Sequence, residues 1–430
     1  MRFRCERDTL VDALTTAGRA VSARSAVTSA ASGVWIEVRG DRLTLIGTDL
    51  DLTLRVEIEA VGLDDGVCVA PARLMADIVR AMDPGAVTMS VLDDDIEITA
   101  GRSRFVVRTY NANDFPVLPE HATKQVSLAV DDLVEGLRQV VPAASTDSTR
   151  PTLTGVLITR EASGLRLVAT DSYRLAWRDL PSGVDLPVGT EQILVPARAL
   201  TELQRLLVAS AKSSGARSPR AQEATVSVSD AAGSAPTLTA STSPLPPDAQ
   251  EQAGVVAGAL GVETNGSGDL STAPTTIGFS SGELDATFWV DGVQVTTRLL
   301  DGQFPNYRVL VPPHHATSVR VDKQAMIEAL RRMKLLIQDA TTPVRLAMSD
   351  HGIDLSVASQ EVGRADETVD ARVEGAEVVV AFNPSYLIDG VEAVVGDEVV
   401  MDILDATKPA ILRSPERDDY RYLIMPVRVS

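Results

Sequence analysis

Two pairs of arginines recur at one spacing in this 430-residue sequence. Arg73 and Arg80 stand at the same offsets from a preceding proline as Arg198 and Arg205 do from theirs. A separation of seven residues is nearly two helical turns, so each pair shares one helix face. Guanidinium groups on one face can contact phosphate without reading base sequence. An ordinary solvated face is the alternative, and acidic neighbours such as Asp77 leave it open.

Further basic residues extend this candidate set. Near the third predicted helix pair the cluster consists of Arg331, Arg332 and Lys334. Elsewhere the candidates are Arg19, Arg24, Arg138 and Arg150.

Motifs for enzymatic chemistry are missing from the sequence. It contains no phosphate-binding GxxxxGK[ST], no dinucleotide GxGxxG after a strand, no HExxH and no GxSxG. His314-His315 is interpreted as a solvated pair in a proline-flanked loop rather than a metal site. Asp93-Asp-Asp95 predicts a hairpin turn, and the recurring Thr48-Asp49 and Thr170-Asp171 predict turn acids. We therefore expect no catalytic residue, no metal and no cofactor.

The charge balance limits how nucleic acid could be bound. Forty Lys and Arg against 59 Asp and Glu give a formal net charge of −19 and a pI near 4.7. A generic nucleic-acid binder has a basic balance, which this chain lacks. Any surface that faces DNA must therefore carry its positive charge locally.

Composition indicates a chain with several cores. The 430 residues are 44% hydrophobic, which predicts two to four domains at about 100–200 residues per domain. Two cysteines, Cys5 and Cys68, without CxxC spacing predict reduced thiols rather than a disulfide framework. The charged start of the sequence and the lack of an apolar run of about 20 residues predict a soluble, cytoplasmic protein.

One segment differs from the rest in composition. From about 212 to 274 the sequence is rich in Ser, Ala, Gly, Pro and Thr and has almost no aromatic residues. Such a composition cannot bury enough apolar area to offset the entropy of ordering. We predict a disordered or loosely ordered insertion, with a short helix around 252–260 as the alternative.

With this insertion set aside, the chain reads as three copies of one unit of about 120 residues. Each unit begins with an amphipathic helix and an acid near its start. The apolar stripes are Leu10, Leu14, Ala17 and Val21, then Leu133, Leu137, Val141 and Ala144, then Met326, Leu330, Met333 and Ile337. The acids are Asp8, Asp131 and Asp322.

A second helix in each unit is predicted from a proline at its first position, and alternating β-branched runs between the helices predict antiparallel strands. The prolines are Pro71, Pro196 and Pro384, the last preceded by Asn383 as a cap. The fold class is therefore α+β, with two helices packed on antiparallel sheet in each of three domains. We place the domains at 1–122, 123–315 (with the insertion) and 316–430.

In this order the motifs resemble the bacterial sliding clamp family, the β subunit of DNA polymerase III. The resemblance covers essentially the whole chain except the insertion. It rests on Met1-Arg-Phe-Arg-Cys-Glu-Arg, Thr48-Asp-Leu-Asp, Val69-Ala-Pro-Ala-Arg, Gly101-Arg-Ser-Arg-Phe, Val168-Ala-Thr-Asp-Ser-Tyr-Arg-Leu-Ala, Leu300-Asp-Gly-Gln-Phe-Pro-Asn-Tyr, Phe382-Asn-Pro-Ser-Tyr and Tyr422-Leu-Ile-Met-Pro-Val-Arg.

The resemblance implies a DNA clamp fold and a head-to-tail homodimer closed into a ring around duplex DNA. It implies a non-catalytic processivity factor that tethers the replicative polymerase, with no cofactor and no membrane. The interface would place Phe105 and Val107 of one chain against Leu335 and Leu336 of the other. The implied DNA-facing residues are Arg24, Arg73, Arg80, Arg138, Arg150, Arg198, Arg205, Arg331 and Arg332.

The resemblance also implies a pocket between the second and third domains. In the family this pocket takes short peptide motifs of the polymerase, the clamp loader and repair proteins. The matching positions are Leu153, Thr170, Tyr173, Arg174, Leu175, Pro305, Val309, Leu310, Asn383, Tyr386, Met425, Pro426 and Val427. Two alternatives remain: a clamp-like peptide-binding scaffold that does not encircle DNA, and a specialised second copy of the clamp.

Overall fold

The computed structural model describes residues 1–21, 29–116, 126–162, 164–181, 186, 190–216, 276–337, 339, 342–359 and 361–428. Apart from 214–216, these residues belong to one compact unit, Met1–Ser213 with Pro274–Ser430. Most of the predicted insertion lies outside the described residues, and its first residues, 212–216, continue a helix. Within the described ranges, no helix has the length and apolar character needed to cross a membrane.

The described residues of the first repeat form two α-helices and nine strands. Its helices are α1 (Arg7–Gly18) and α2 (Ala72–Ala81). Its strands are β1 (Arg2–Glu6), β2 (Gly33–Arg39), β3 (Arg42–Thr48), β4 (Leu52–Glu59), β5 (Val61–Asp64), β6 (Gly66–Pro71), β7 (Ala86–Leu92), β8 (Asp95–Ala100) and β9 (Ser103–Arg108).

The second repeat follows the same order. Its helices are α3 (Val130–Val140) and α4 (Ala197–Ala216). Its described strands are β10 (Val126–Ala129), β11 (Gly155–Glu161), β12 (Gly164–Thr170), β13 (Arg174–Asp179), β14 (Gln192–Pro196), β15 (Thr276–Ser281), β16 (Asp285–Val290) and β17 (Val293–Arg298).

The third repeat completes the chain. Its helices are α5 (Lys323–Lys334) and α6 (Pro384–Ala393). Its strands are β18 (Thr317–Asp322), β19 (Val344–Ser349), β20 (Gly352–Ser359), β21 (Gly363–Val369), β22 (Ala371–Gly375), β23 (Val378–Phe382), β24 (Glu398–Ile403), β25 (Ala410–Arg413) and β26 (Tyr420–Ile424). All strand pairs are antiparallel, which confirms the predicted α+β class.

Helix formation follows the predicted apolar stripes. Leu10 and Leu14 of α1 and Leu330 of α5 are fully buried against the sheets. The stripe of the second repeat is cut short, because α3 ends at Val140 and Val141 begins a 3₁₀ turn. Burial of these stripes, rather than intrinsic propensity, supplies most of the stability of such helices.

For two of the three second helices, the prediction places the proline one position too far into the helix. Pro71 and Pro196 are the last residues of β6 and β14, and the helices begin with the next residue. Each proline is fixed by the strand pairing, opposite Gly33 and Gly155 respectively. In the third repeat the prediction is confirmed: Asn383 caps α6, and its Oδ1 accepts from the backbone N–H of Ser385 and Tyr386.

Two of the four sheets continue from one repeat into the next. The eight-stranded sheet has the order β10-β15-β16-β17-β4-β3-β2-β6, and the nine-stranded sheet has the order β14-β11-β12-β13-β26-β25-β24-β18-β22. We call the pairing of β17 with β4 the first joint and that of β26 with β13 the second joint. The other two sheets have the orders β5-β1-β7-β8-β9 and β21-β20-β19-β23.

The two joints have the same register. Leu54 and Ala176 each lie six residues after the threonine of the recurring Thr-Asp turn. Opposite Leu54 stands Val295, and opposite Ala176 stands Tyr422. All four residues are buried, so the apolar cores of neighbouring repeats are continuous at this position.

Candidate functional site

The six α-helices of the described residues are linked within the first and third repeats and across both joints, while Leu133 of α3 and Leu200 of α4 belong to one core. α1 packs on α2, and α5 packs on α6. Across the first joint, Arg19 after the end of α1 forms an ion pair with Glu202 of α4 at 2.8 Å. Across the second joint, Gln139 of α3 donates to the backbone oxygen of Ala393 in α6 at 2.8 Å. We call the exposed faces of these helices in the three repeats the helix row.

In the first repeat the predicted arginine pair lies on the exposed face of α2. Arg73 is 97% exposed, and its Nε lies 3.8 Å from a carboxylate oxygen of Asp77. Arg80 lies 2.9 Å from the other oxygen of Asp77 and donates to the Thr15 hydroxyl on α1 at 3.0 Å. One carboxylate is thus placed between two guanidinium groups.

In the second repeat the equivalent pair lies on α4. Arg205 is 60% exposed and donates to Glu202 at 2.6 Å, so Glu202 also lies between two arginines. Arg198 forms an ion pair with Asp49 of the Thr48-Asp49 turn, across the first joint. The shared offset from the proline gives the same placement in both repeats.

The third repeat reaches a similar arrangement with different residues. Arg331 of α5 lies 2.7 Å from the carboxylate of Glu392 at the end of α6. Arg138 of α3 donates to the backbone oxygens of Glu392 and Ala393, both at 3.2 Å. A cation at the C-terminal carbonyls of a helix is favoured by the helix dipole.

The other candidate arginines are placed less uniformly. Arg332 is bonded to Glu367 of β21 rather than to α6. Arg150 lies in the loop after α3, where it pairs with Asp147 at 2.9 Å and donates to the Ser172 hydroxyl at 3.1 Å. Arg24 lies outside the described residues.

The recurring Thr-Asp turns have a structural role, as predicted. The Asp171 carboxylate accepts from the backbone N–H groups of Tyr173 and Arg174, and the Thr170 hydroxyl donates to the Arg174 carbonyl. Ser172 within this turn has a φ of +81°, which is uncommon for a residue with a side chain. This turn presents Tyr173 to solvent with 60% of its surface exposed.

Arg174 connects the elements that form the predicted pocket. Its guanidinium group bonds to Asp171 at 2.9 Å, to Asp389 of α6 and to the Pro142 carbonyl. Burial lowers the pKa of Arg174, but Tyr422, Asp389 and Asp171 outweigh this effect and raise the pKa above its ordinary value. Arg174 therefore stays positively charged and links the second repeat to the third through these bonds.

Two tyrosines form the apolar part of this cluster. The rings of Tyr173 and Tyr386 stack with centroids 6.4 Å apart, and the Arg174 guanidinium lies 4.4 Å from the centre of the Tyr386 ring. The backbone of Met425 donates to the Tyr173 carbonyl at 2.9 Å, and Met425 is 37% exposed. Burial raises the pKa of Tyr386, so this ring stays neutral and apolar. An apolar surface with fixed polar groups at its edge suits a short peptide.

The remaining pocket positions divide between neighbouring places. Thr170 and Asn383 lie within the same cluster, and Val427 follows it through a backbone bond to Ala381. Leu153 is buried in the 3₁₀ turn Pro151–Leu153. Leu175 faces the opposite side of β13, in a small core closed by Tyr307 and Val311. The segment that closes this core also carries Pro305, Val309 and Leu310.

Two residues that hold the pocket together were not predicted for that role. Asp389 and Tyr422 both bond to the cluster, and the Tyr422 hydroxyl donates to the Tyr386 carbonyl at 2.8 Å. Asp171 carried a signal, because it recurs in the first repeat as Asp49. Asp389 carried none, since a single acid in a helix does not reveal its partner 215 residues away.

Metal-ligand chemistry has no support in the described part of the chain. Among those residues, no group of three or more His, Cys, Asp or Glu could hold a metal ion. Both cysteines are free and buried, and burial raises the pKa of Cys68 to about 12. Its thiol is therefore protonated at neutral pH, whereas the thiolate is the metal ligand. Asp93 lies in the predicted hairpin turn between β7 and β8, with a φ of +54°.

The predicted interface residues lie on the end strand β9 and just after helix α5, which packs against the end strand β21. β9 and β21 are end strands of the two sheets that stay within one repeat. Phe105 on β9 is 42% exposed and Val107 is buried. Leu335, just after α5, is 82% exposed, and Leu336 is partly buried against the core.

Comparisons with known proteins agree across the three repeats. Family models match the N-terminal domain of the DNA polymerase III beta subunit over residues 1–119, its central domain over 127–214 and its C-terminal domain over 308–428. The beta sliding clamp of Streptomyces coelicolor is 29% identical over 436 residues, with both chains fully covered. The beta sliding clamp homolog GriR of Streptomyces muensis is 26% identical over 434 residues, covering 100% of this chain and 99% of that protein.

Solved structures give the same result. The DNA polymerase sliding clamp from Bacillus subtilis superposes with a TM-score of 0.79 at 24% identity, and the DNA polymerase III subunit beta from Pseudomonas aeruginosa with 0.78 at 25%. Both comparisons cover the whole of each chain. Three matched domains, a tripled helix-on-sheet fold and full-length relatives thus place this chain in the DNA polymerase III beta subunit family, the DNA sliding clamps.

Proposed function

We propose that two copies of this chain close head to tail into a ring that encloses duplex DNA in the cytoplasm and tethers the replicative polymerase, without catalysis of its own. The observation that carries the proposal is that the two joints within the chain share one register. Among the described strands, β9 and β21 are the end strands that match those of the joints, so they can form the same kind of joint with a second copy. The helix row would then face the enclosed DNA. Retention would come from topology, and arginine contacts to phosphate would be weak and blind to sequence.

The unpaired edges correspond to the strands of the joints. The β8–β9 and β16–β17 hairpins both close through two-residue turns, so Phe105 on β9 corresponds to Val295 on β17. In the third repeat, Val357 lies opposite Ala365 and four residues after Ile353. In the first repeat, Gly47 lies opposite Leu54 and four residues after Leu43, the residue that corresponds to Ile353. Ala365 on β21 therefore takes the place of Leu54.

This correspondence gives a register for the contact between copies. β9 would pair antiparallel with β21 of the partner subunit, with Phe105 opposite the partner's Ala365 and Arg104 opposite the partner's Asp366. Such a contact is heterologous, because it joins two different surfaces of the chain. Every copy has both surfaces paired only when the subunits close into a ring. Phe105 would reach the buried state that Val295 and Tyr422 already have, and the unpaired backbone groups of both edges would be satisfied.

The assembly is tested by charge at this position. Phe105→Asp would bury a carboxylate at the contact and should convert a species of twice 45.7 kDa into a monomer in analytical ultracentrifugation. Leu92→Asp is the matched control, since Leu92 is 62% exposed on β7 of the same sheet, away from the edge. A wild-type monomer would contradict the ring and favour the peptide-binding scaffold instead.

Enclosure of DNA is tested by cutting it. Protein loaded on nicked circular DNA should be retained, and linearisation should release it over the free ends. Joint reversal of Arg73, Arg80, Arg198 and Arg205 to Glu should weaken binding to a linear duplex with free ends, where phosphate contacts alone hold the protein. The control reverses four exposed arginines on the opposite sheet faces, Arg39, Arg42, Arg320 and Arg345. Retention that is unchanged after linearisation would contradict sliding.

The pocket is the second part of the proposal. We infer that it binds short peptide segments of the polymerase, the clamp loader and other partners, because Tyr173 and Tyr386 offer an apolar platform beside the fixed charge of Arg174. Griselimycin, which the solved sliding clamp of Pseudomonas aeruginosa binds, serves as the probe. Tyr173→Ala should weaken its binding in calorimetry, whereas Leu284→Ala, also exposed, should not. Equal affinity of all three proteins would argue against this site.

A further inference from the structure

In each repeat, a carboxylate of the helix row pairs with at least one of its arginines. Asp77 lies between Arg73 and Arg80, and Glu202 lies between Arg19 and Arg205. In the third repeat, Glu392 accepts Arg331 on its carboxylate and Arg138 on its backbone oxygen. Asp77 and Glu202 occupy the same position relative to their prolines, three residues before Arg80 and Arg205, and each is shared by two guanidinium groups, whereas the Glu392 carboxylate holds Arg331 alone.

This arrangement changes the charge that the helix row offers to phosphate. At Asp77, two arginines and one carboxylate have a net charge of one rather than two, and at Glu392 the carboxylate neutralises Arg331. Each acid occupies N–H donors that a phosphate oxygen would use. Asp77 is 55% exposed and Glu392 is 41% exposed, so phosphate can replace them as partners. The free-energy cost of this exchange is small, because an exposed ion pair contributes little to stability.

Glu202 differs from the other two acids. Its side chain is only 11% exposed, and it connects α4 to Arg19 across the first joint. We therefore assign Glu202 mainly to holding the joint, and the argument rests on Asp77 and Glu392.

We propose that Asp77 and Glu392 act as internal competitors of DNA phosphate, which weaken the hold of neighbouring arginines and thereby keep the clamp mobile. The proposal rests on the proposed enclosure of duplex DNA. Each guanidinium group alternates between a carboxylate of the protein and a passing phosphate. The helix row then never depends on a single long-lived contact, and the barrier between successive positions on DNA stays low.

The test replaces each acid by its amide. Asp77→Asn and Glu392→Gln, alone and combined, remove the charge and keep the shape of the side chain. We expect duplex DNA to bind about two- to fivefold tighter per substituted site, and the loaded clamp to diffuse correspondingly more slowly on stretched DNA. The dependence of log affinity on log salt should steepen, since each additional phosphate contact contributes about 0.9 to the slope.

Glu37→Gln is the matched control. Glu37 forms a 2.6 Å ion pair with Arg39 on the sheet face opposite the helices, so this variant makes the same change of net charge elsewhere. Equal tightening by all three variants would overturn the proposal, because the effect would then be one of net charge. Unchanged or faster diffusion of the Asp77 and Glu392 variants would overturn it as well.

Failure of this inference is distinguishable from failure of the proposed function. If linearisation leaves retention unchanged, or if reversal of the four arginines leaves affinity for a linear duplex unchanged, enclosure with phosphate contact is wrong. If both experiments give the expected result while the amide variants match wild type in affinity and diffusion, only the role of the two carboxylates is wrong.

Discussion

The Thr170–Tyr173 turn has a strained backbone at one residue and contributes another residue to the pocket. Ser172 adopts a φ of +81° and Leu50, at the same place in the first repeat, a φ of +80°. Left-handed backbone costs a residue with a Cβ about 1–2 kcal/mol relative to the right-handed form. The hydrogen bonds of Asp171 hold this conformation, and Tyr173 reaches the pocket because of it.

This strain predicts an order of stability for two variants. Both Ser172→Gly and Ser172→Ala lose the hydroxyl that accepts from Arg150, and they differ only in the Cβ. Because glycine adopts positive φ freely, Ser172→Gly should exceed Ser172→Ala by about 1 kcal/mol in free energy of unfolding. Urea denaturation measures the difference, and a more stable alanine variant would show that the turn is unstrained.

At the scale of elements, the two joints share a register but differ in chemistry. Arg178 on β13 corresponds to Val56 on β4, and Arg178 is only 1% exposed. It contacts Glu135 of α3 at 3.0 Å and Asp419 at 2.9 Å, and both acids also contact Arg417. The first joint is apolar at this position, whereas the second contains a buried ionic cluster.

Breaking this cluster should be costly. Arg178→Met leaves two acids with only Arg417 as partner, and unfolding should become about 3 kcal/mol easier. Arg421→Met is the control, because Arg421 is 28% exposed in its pair with Asp418 and should cost under about 1 kcal/mol. The double variant Arg178→Met/Asp419→Asn should recover part of the loss. Equal effects of the two single variants in thermal unfolding would contradict a structural role of the cluster.

Elements were predictable where a pattern is local. The stripes of α1 and α5, the Asn383 cap and the turn at Asp93 follow from neighbouring residues. Pro71 and Pro196 were misplaced by one position, because strand pairing decides where a strand ends. Asp389, which accepts Arg174, and Asp49, which accepts Arg198, lie in other repeats, so the sequence alone identified the arginines but not these partners.

At the scale of the whole molecule, the net charge of −19 and the exposed arginines have separate effects. The sum would repel DNA at a distance, while the helix row, in the proposed ring, would offer local contacts to phosphate. Order along the chain was predictable, since three copies of one pattern imply three copies of one fold. The pairing of β17 with β4 and of β26 with β13 was not, because strand edges carry no sequence signal for a partner in another repeat.

Salt should therefore affect two kinds of DNA differently. Raising the ionic strength weakens phosphate contacts but does not open a closed ring. We expect retention on circular DNA to persist at salt concentrations that abolish binding to a linear duplex with free ends. Gel filtration of loaded complexes measures both, and parallel loss from the two substrates would indicate ordinary surface binding.

The common register of the two joints also fixes how many subunits complete an assembly. If every junction turns the path by the same angle, closure depends on the total number of repeats and not on how they are divided among polypeptides. A shortened polypeptide with two repeats, ending in the same pair of complementary edges, would then close with three subunits instead of two. The number of subunits would then follow from the rotation at each junction and the number of repeats in each chain.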